Sequence, residues 1–126
     1  MPGYDANQFS PPAPVAQVTV RNPANAKTVA SIQMLLDSGA DVTLLPQSVA
    51  DEVGVEVAAG QTYDLMGFDG SISRAQVARL DMILLGRTFR GQFLLIDQEW
   101  GIVGRDVLNL LALVLDGPQL TWGLRK

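Results

Sequence analysis

The sequence predicts an all-β domain that contains one or two short helices. Apolar segments of strand length recur along the 126 residues, separated by turns rich in glycine, proline and asparagine. Hydrophobic residues make up 48% of the chain but aromatic residues only 6%, so aliphatic side chains must fill most of the core. A chain of this length has room for one core, and no segment repeats another. We therefore expect one β-rich domain.

A proline-rich segment precedes the predicted strands. Residues 1–14 contain four of the seven prolines, which is typical of a flexible tail or linker. We therefore place the domain at residues 15–126.

Strand and helix signals follow one another through the first half of the domain. A strand begins at Val15 and ends at the Asn-Pro turn of residues 22–25, and a second strand spans residues 28–36. A short strand over 42–45 then leads into a helix over 46–53. Proline in the first turn and glycine after the last turn are typical boundaries of a helix.

Glycine-containing turns organise the second half of the domain into hairpins. Predicted strands over 62–66 and 72–80 flank the turn at 67–70, and strands over 83–85 and 88–96 flank the turn at 86–87. The elements that follow are a strand over 101–104, a helix over 106–111 and a final hairpin of residues 113–115 and 120–122.

The composition excludes several kinds of catalytic site. The chain has neither cysteine nor histidine, so thiolate nucleophiles, Ser-His-Asp triads and the usual zinc sites are excluded. Its 13 acidic and 9 basic residues form no run of one sign that would suit nucleic acid or an anionic membrane. We expect carboxylates to carry out any acid–base chemistry, without a metal or another cofactor.

Targeting signals are also missing from the sequence. It shows no signal peptide and no apolar segment long enough to span a membrane. We therefore expect a soluble protein that is cytoplasmic by default.

The most informative motif lies at the end of the second predicted strand. The apolar run 34–36 ends abruptly in Asp37-Ser38-Gly39, the only Asp-[Ser/Thr]-Gly triplet in the chain. A carboxylate next to apolar residues is costly unless it is hydrogen-bonded, paired or used in chemistry. Asp37 therefore either caps an ordinary turn or belongs to a catalytic site.

Three segments of the chain occur in a characteristic order. They are residues 35–41 around Asp37, the glycine-bounded turn at 67–70, and the Ile-Val-Gly-Arg-Asp sequence at 102–106. In this order they resemble the retropepsins, the single-domain aspartic proteases of retroviruses and their cellular and bacterial relatives. The N-terminal tail has no counterpart in a minimal viral enzyme. The extra C-terminal hairpin is closer to the cellular and bacterial members than to the minimal viral ones.

The resemblance implies a retropepsin-like barrel that is active as a two-fold homodimer, because each chain supplies one aspartate. The two Asp37 carboxyls would share a proton. One would activate a water molecule as general base while the other hydrogen-bonds the peptide carbonyl, with no covalent intermediate. The implied activity is that of an aspartic endopeptidase, and the implied partners are a second copy and a peptide or extended protein segment.

The resemblance also assigns supporting and binding residues. Ser38 is expected to hydrogen-bond across the dimer, and Arg105 to form a buried ion pair with Asp41 that braces the loop. The alternative is that Arg105 and Asp41 are unrelated surface charges. Hairpin 65–72 is the expected flap, which closes over an extended substrate. The expected substrate-binding residues are Gly39, Ala40, Asp41, Leu44, Leu65, Gly67, Phe68, Trp100 and Ile102, of which Leu44 and Ile102 fit the hydrophobic core equally well.

Two further hypotheses concern function and context. The same dimeric fold without catalysis would serve as an interaction or assembly module, although the intact Asp37 motif and flap glycines favour the enzyme. The chain is also expected to cleave itself near residues 8–15, or to derive from a larger precursor in which residues 1–14 are a linker.

Overall fold

A computed structural model describes residues 3–55, 62–66 and 70–125 of the chain. Within them, the strands are β1 (Gly3–Asp5), β2 (Ala13–Arg21), β3 (Thr28–Leu36), β4 (Leu44–Pro46), β5 (Thr62–Met66), β6 (Ile72–Leu84), β7 (Arg87–Ile96), β8 (Gly101–Val103), β9 (Leu113–Asp116) and β10 (Thr121–Leu124). Two short helices are α1 (Gln47–Glu52), which follows β4, and α2 (Arg105–Leu108), which follows β8. None of the helices in these ranges is long and apolar enough to cross a membrane.

Six of the strands close into a barrel. Neighbouring strands follow the order β6, β7, β4, β8, β3 and β2, and a further pairing of β2 with β6 closes the ring. Most neighbours are antiparallel, but β3 with β8 and β4 with β7 are parallel. Two extensions leave the ring: β5 pairs with β6, and β1, β10 and β9 continue the sheet from β2.

The barrel core follows from alternating side chains along its strands. In β2, Ala16, Val18 and Val20 are at most 1% exposed, while the residues between them are exposed or half-buried. This period of two places one face of the strand inside the barrel. A separate small cluster of Ala75, Val77 and Leu94 packs against Val42, Leu44 and Leu65 and supports the cleft described below.

Several predicted elements are confirmed. Strand β3 has the predicted bounds, and α1 follows Pro46 directly and ends before Gly54, which has a φ of 67°. Glycine adopts this left-handed conformation without steric cost, which explains why the helix stops there.

Some predicted boundaries are wrong. Strand β6 is continuous from Ile72 to Leu84, whereas the sequence predicted a break near residue 81. Asp81 stays in the strand because the Arg21 side chain donates hydrogen bonds of 2.7 and 3.2 Å to its carboxylate. Helix α2 is shorter than predicted, since the chain after Leu108 continues in hydrogen-bonded turns rather than α-helix.

The N-terminal segment contains a strand where its composition predicted a flexible tail. β1 pairs with both β2 and β10, and the Tyr4 amide donates to the Leu120 carbonyl at 3.1 Å. β2 also begins two residues earlier than predicted, at Ala13. The sequence carries no local signal for this pairing because the partner strand of β1 lies at the other end of the chain.

Candidate active site

Asp37 stands at the end of the parallel pair β3–β8. Leu36 lies beside Val103 in this pair, and the Asp37 amide donates to the Val103 carbonyl at 3.0 Å. The strands thus hold the main chain of Asp37 at the rim of the barrel. Its half-buried side chain points away from the β3 ladder into the turn that follows.

The turn itself is shaped around the Asp37 carboxylate. The Gly39 amide donates to Asp37 Oδ1 at 2.9 Å, and the Ala40 amide donates to the Asp37 carbonyl at 3.1 Å. A Cβ at position 39 would lie 3.1 Å from Asp37 Oδ1, tighter than an ordinary contact. Glycine therefore suits this position because it lets the backbone approach the carboxylate closely.

Helix α2 braces the far side of the same turn. The Arg105 amide donates to the Ala40 carbonyl at 2.9 Å, and Arg105 Nη1 donates to the Ser38 carbonyl at 2.7 Å. Arg105 Nη2 also forms an ion pair with Asp41. One guanidinium thus holds the carbonyl of the residue after Asp37 and the carboxylate at the end of the turn.

This ion pair differs from its prediction in one respect. The side chains of Arg105 and Asp41 are 43% and 82% exposed, whereas the sequence predicted a buried pair. Both charges are therefore in contact with water in the described single chain.

A cleft opens beside Asp37 between the turn and the β5–β6 hairpin. Its volume is ≈ 750 Å³. Six of its lining residues were predicted site residues: Asp37, Gly39, Ala40, Asp41, Leu44 and Leu65. The structure adds Val42, Asp64, Met66 and Leu94 to the lining. Leu94 was missed because it reaches the cleft through the β4–β7 pairing, which no local pattern reveals.

The comparison with protein families identifies the family of the chain. The model of the family described as Aspartyl protease matches residues 16–108, which is more than half of the chain. The chain belongs to the aspartyl protease family. Both Asp37 and Arg105 lie within the matched residues.

A solved protease structure has a similar fold. The EIAV protease in complex with the inhibitor HBY-793 matches with a TM-score of 0.56 and 23% sequence identity, over 77% of this chain and 86% of that one. The retropepsin-like fold predicted from the sequence is thereby confirmed. At this identity the similarity concerns the fold alone.

Thr43, which the sequence did not predict as a site residue, supports the Asp37 turn through hydrogen bonds to the start of α2. It is 1% exposed, and its hydroxyl donates to Asp106 Oδ1 at 2.7 Å and accepts from the Gly104 amide at 3.1 Å. Its own amide donates to Asp106 Oδ2 at 3.1 Å. The start of α2 is therefore tied to the chain just after the turn by hydrogen bonds of the buried Thr43 as well as by Arg105.

Four predicted binding residues are not placed in the cleft. Trp100 packs edge-to-face against Phe9, with ring centroids 5.3 Å apart, and Ile102 lies half-buried in β8 opposite Leu44. Neither lines the cleft of the described chain. Gly67 and Phe68, at the expected flap tip, lie outside the described residues.

Proposed function

We propose that this member of the aspartyl protease family is an aspartic endopeptidase whose active site is shared by two copies of the chain. A single Asp-Ser-Gly turn, anchored by β8 and α2 and open to a large cleft, is the observation that carries the proposal. Two Asp37 carboxyls facing each other across a two-fold axis share one proton. The ionised carboxyl takes a proton from water, and the protonated one hydrogen-bonds the peptide carbonyl.

The rest of the turn supports this chemistry. Arg105 and the Thr43–Asp106 hydrogen bonds fix the turn so that the carboxyls meet in one geometry. Such preorganisation is effective because a small displacement of a reacting group costs much of the rate. In this proposal Ser38 links the two turns across the dimer, and Ser38 is exposed in the single chain.

The substrate is proposed to be an extended peptide. It would lie between the turn and the flap, hairpin 65–72, with alternate side chains entering apolar pockets. Leu44, Leu65 and Leu94 give the cleft an apolar wall, so we expect bulky apolar side chains near the cleaved bond. Closure of the flap would exclude bulk water from the reaction.

The test is cleavage of a diverse peptide mixture, read by mass spectrometry across roughly pH 4 to 7. We expect the wild type to cut and Asp37→Asn to make none of the same cuts while remaining folded. Asp64→Asn is the matched control, because Asp64 lines the same cleft but its side chain is 66% exposed and lies 3.8 Å from Arg74.

Two outcomes would contradict the proposal. Cuts that persist in Asp37→Asn would assign the chemistry to another group. A folded wild-type dimer that cuts no peptide would favour the non-catalytic interaction module.

A further inference from the structure

Large apolar side chains are exposed at two places among the described residues. Met66 and Ile72 lie beside the expected flap tip, where a substrate would cover them. The other four, which we call the terminal patch, are Leu110, Val114, Leu115 and Leu120, with exposures from 44% to 65%. All four lie in the short segment 110–120, and Val114 and Leu115 point to opposite faces of β9, so both faces of this hairpin carry exposed aliphatic side chains. Such a concentration indicates a region that another molecule covers.

Two residues of the terminal patch belong to a strand with an unpaired edge. β9 is the last strand of the sheet, and in the described ranges it pairs with β10 alone. Its outer edge therefore presents free N–H and C=O groups, which favour the addition of another strand. Val114 and Leu115, the two central residues of β9, are also the exposed ones.

The chain termini are already paired within one chain. β1 lies between β2 and β10, with Gly3 opposite Thr121 and Val15 opposite Gly3. Trp122 of β10 is 2% exposed and donates through Nε1 to the Val15 carbonyl at 2.8 Å. Exchanging terminal strands with a partner would first require each chain to open these contacts before remaking them between chains, whereas adding a strand to β9 leaves them in place.

The terminal patch is also connected directly to the Asp37 turn. Arg105, which holds the Ser38 carbonyl, is the first residue of α2, and only a short turn separates α2 from β9. The Arg125 amide, which follows β10, donates to the Ala112 carbonyl at 2.8 Å and fixes the start of the terminal hairpin. A partner seated on β9 would therefore be held in a defined position relative to Asp37.

We propose that the second copy docks by antiparallel pairing of β9 with the same strand of its partner, while each chain keeps its own β1 and β10. A strand that pairs antiparallel with its own copy has a two-fold axis through its centre, and this is the symmetry that two facing Asp37 carboxyls require. The proposal rests on the proposed function, because that function makes the site incomplete without a second chain.

Disulfide trapping tests the pairing cleanly, because the chain contains no cysteine. The variants are Val114→Cys, Leu115→Cys and the two together, with Ser48→Cys on exposed α1 surface as the control for random collision. If the register places Val114 or Leu115 opposite its own copy, the variant with that single cysteine can form the disulfide. If the register is offset by one residue, Val114 of one copy lies opposite Leu115 of the other, and only the double variant can form it. We expect at least one of the three to form a covalent dimer in high yield and Ser48→Cys to stay monomeric in denaturing gels.

A second pair of cysteines tests whether the termini stay within one chain. Gly3 and Thr121 are register partners, and a Cβ at Gly3 meets its nearest atom, the Leu120 carbonyl oxygen, at 3.7 Å. The Gly3→Cys/Thr121→Cys variant is therefore expected to form a disulfide inside one chain. A disulfide between chains would mean exchanged terminal strands and would overturn the proposal.

A charge on β9 should weaken the dimer. Leu115→Asp is expected to raise the dimer Kd at least about tenfold, because it places two like charges near the axis. Ser48→Asp is the matched control and should leave the Kd unchanged, as measured by sedimentation. A dimer that forms normally in Leu115→Asp and is trapped by none of the β9 cysteines would contradict the interface.

The activity of the trapped dimer separates this proposal from the proposed function. On dilution, the wild type should lose activity per chain as it dissociates, and the trapped dimer should not. A trapped dimer without Asp37-dependent cleavage would support the interface and contradict the protease. Cleavage by a wild-type dimer that β9 cysteines never trap would support the protease and contradict the interface.

Discussion

At the scale of the residue, Gly104 has the least space for a side chain among the described glycines. A Cβ there would lie 2.4 Å from both the carbonyl carbon and the oxygen of Val42. Its φ of −91° is open to any residue, so contact alone excludes a side chain. We expect Gly104→Ala to lower the free energy of unfolding by about 3 kcal/mol or more, measured by urea denaturation.

Gly91→Ala is the control for that substitution. A Cβ at Gly91 has no neighbour within 4 Å, so its effect should stay within about 0.5 kcal/mol. Equal losses of stability in the two variants would mean that the close contact between Val42 and residue 104 does not exclude a side chain at position 104.

Arg105 allows a prediction that separates stability from activity. Because its ion pair with Asp41 is solvent-exposed in the single chain, Arg105→Ala should cost only about 1 kcal/mol of stability in dilute, monomeric protein. Peptide cleavage should fall much further, since the Ser38 carbonyl loses its donor. Arg87→Ala, at an exposed arginine of the β6–β7 hairpin, should change neither quantity.

Urea unfolding and kcat/KM measured on the same preparations check this prediction. A loss of stability near the 3–5 kcal/mol typical of a broken buried pair would show that Arg105 is buried in the protein measured. Unchanged cleavage in Arg105→Ala would exclude the bracing role.

Residues were predictable where one short segment carries the signal. Asp37, Ser38 and Gly39 stand in a triplet at the end of an apolar strand, so the sequence located the turn. Thr43 was missed because a threonine in an apolar segment looks like an ordinary strand residue, and its partner Asp106 belongs to a distant helix. Trp100 was expected in the cleft, but its ring packs against Phe9 instead. Phe9 is far from Trp100 in the sequence, so no local pattern reveals this contact.

At the scale of the element, the β5–β6 hairpin gives a prediction about substrate binding. Met66 lines the cleft and is 75% exposed, so its side chain contributes little to the stability of the single chain. We expect Met66→Ser to raise KM for peptides several-fold while leaving the urea midpoint unchanged. An unchanged KM would place the substrate elsewhere, and a lowered midpoint would show that Met66 packs within the fold.

The positions of helices and strands were predictable where turn-forming residues stand at both of their ends. β3 and α1 stand between clear turn or helix-stop signals and were located to within a residue or so. β1 was missed because proline and glycine around it indicate a tail, and because only its partners β2 and β10 make it a strand. The predicted break in β6 failed because a charge in a strand looks like a turn until its partner Arg21 is known.

At the scale of the whole molecule, the order of the segments predicted the retropepsin-like fold, but the closure of the barrel was not visible in the sequence. The β2–β6 pairing that closes it joins distant parts of the chain. The β1–β10 pairing likewise keeps both termini within one chain, and it leaves β9 as the exposed edge. The proposed dimer therefore follows from long-range topology rather than from any motif.

The central claim is that each active site needs an Asp37 from both chains. The most direct measurement mixes wild type with Asp37→Asn, allows the subunits to exchange at a protein concentration well above the dimer Kd, and records peptide cleavage as the wild-type fraction varies. If both chains contribute, only wild-type pairs cut, and an equal mixture should keep about one quarter of the activity of the same total amount of wild type. If each chain acts alone, the equal mixture would keep about one half, in direct proportion to the wild-type fraction, and the shared site would be excluded.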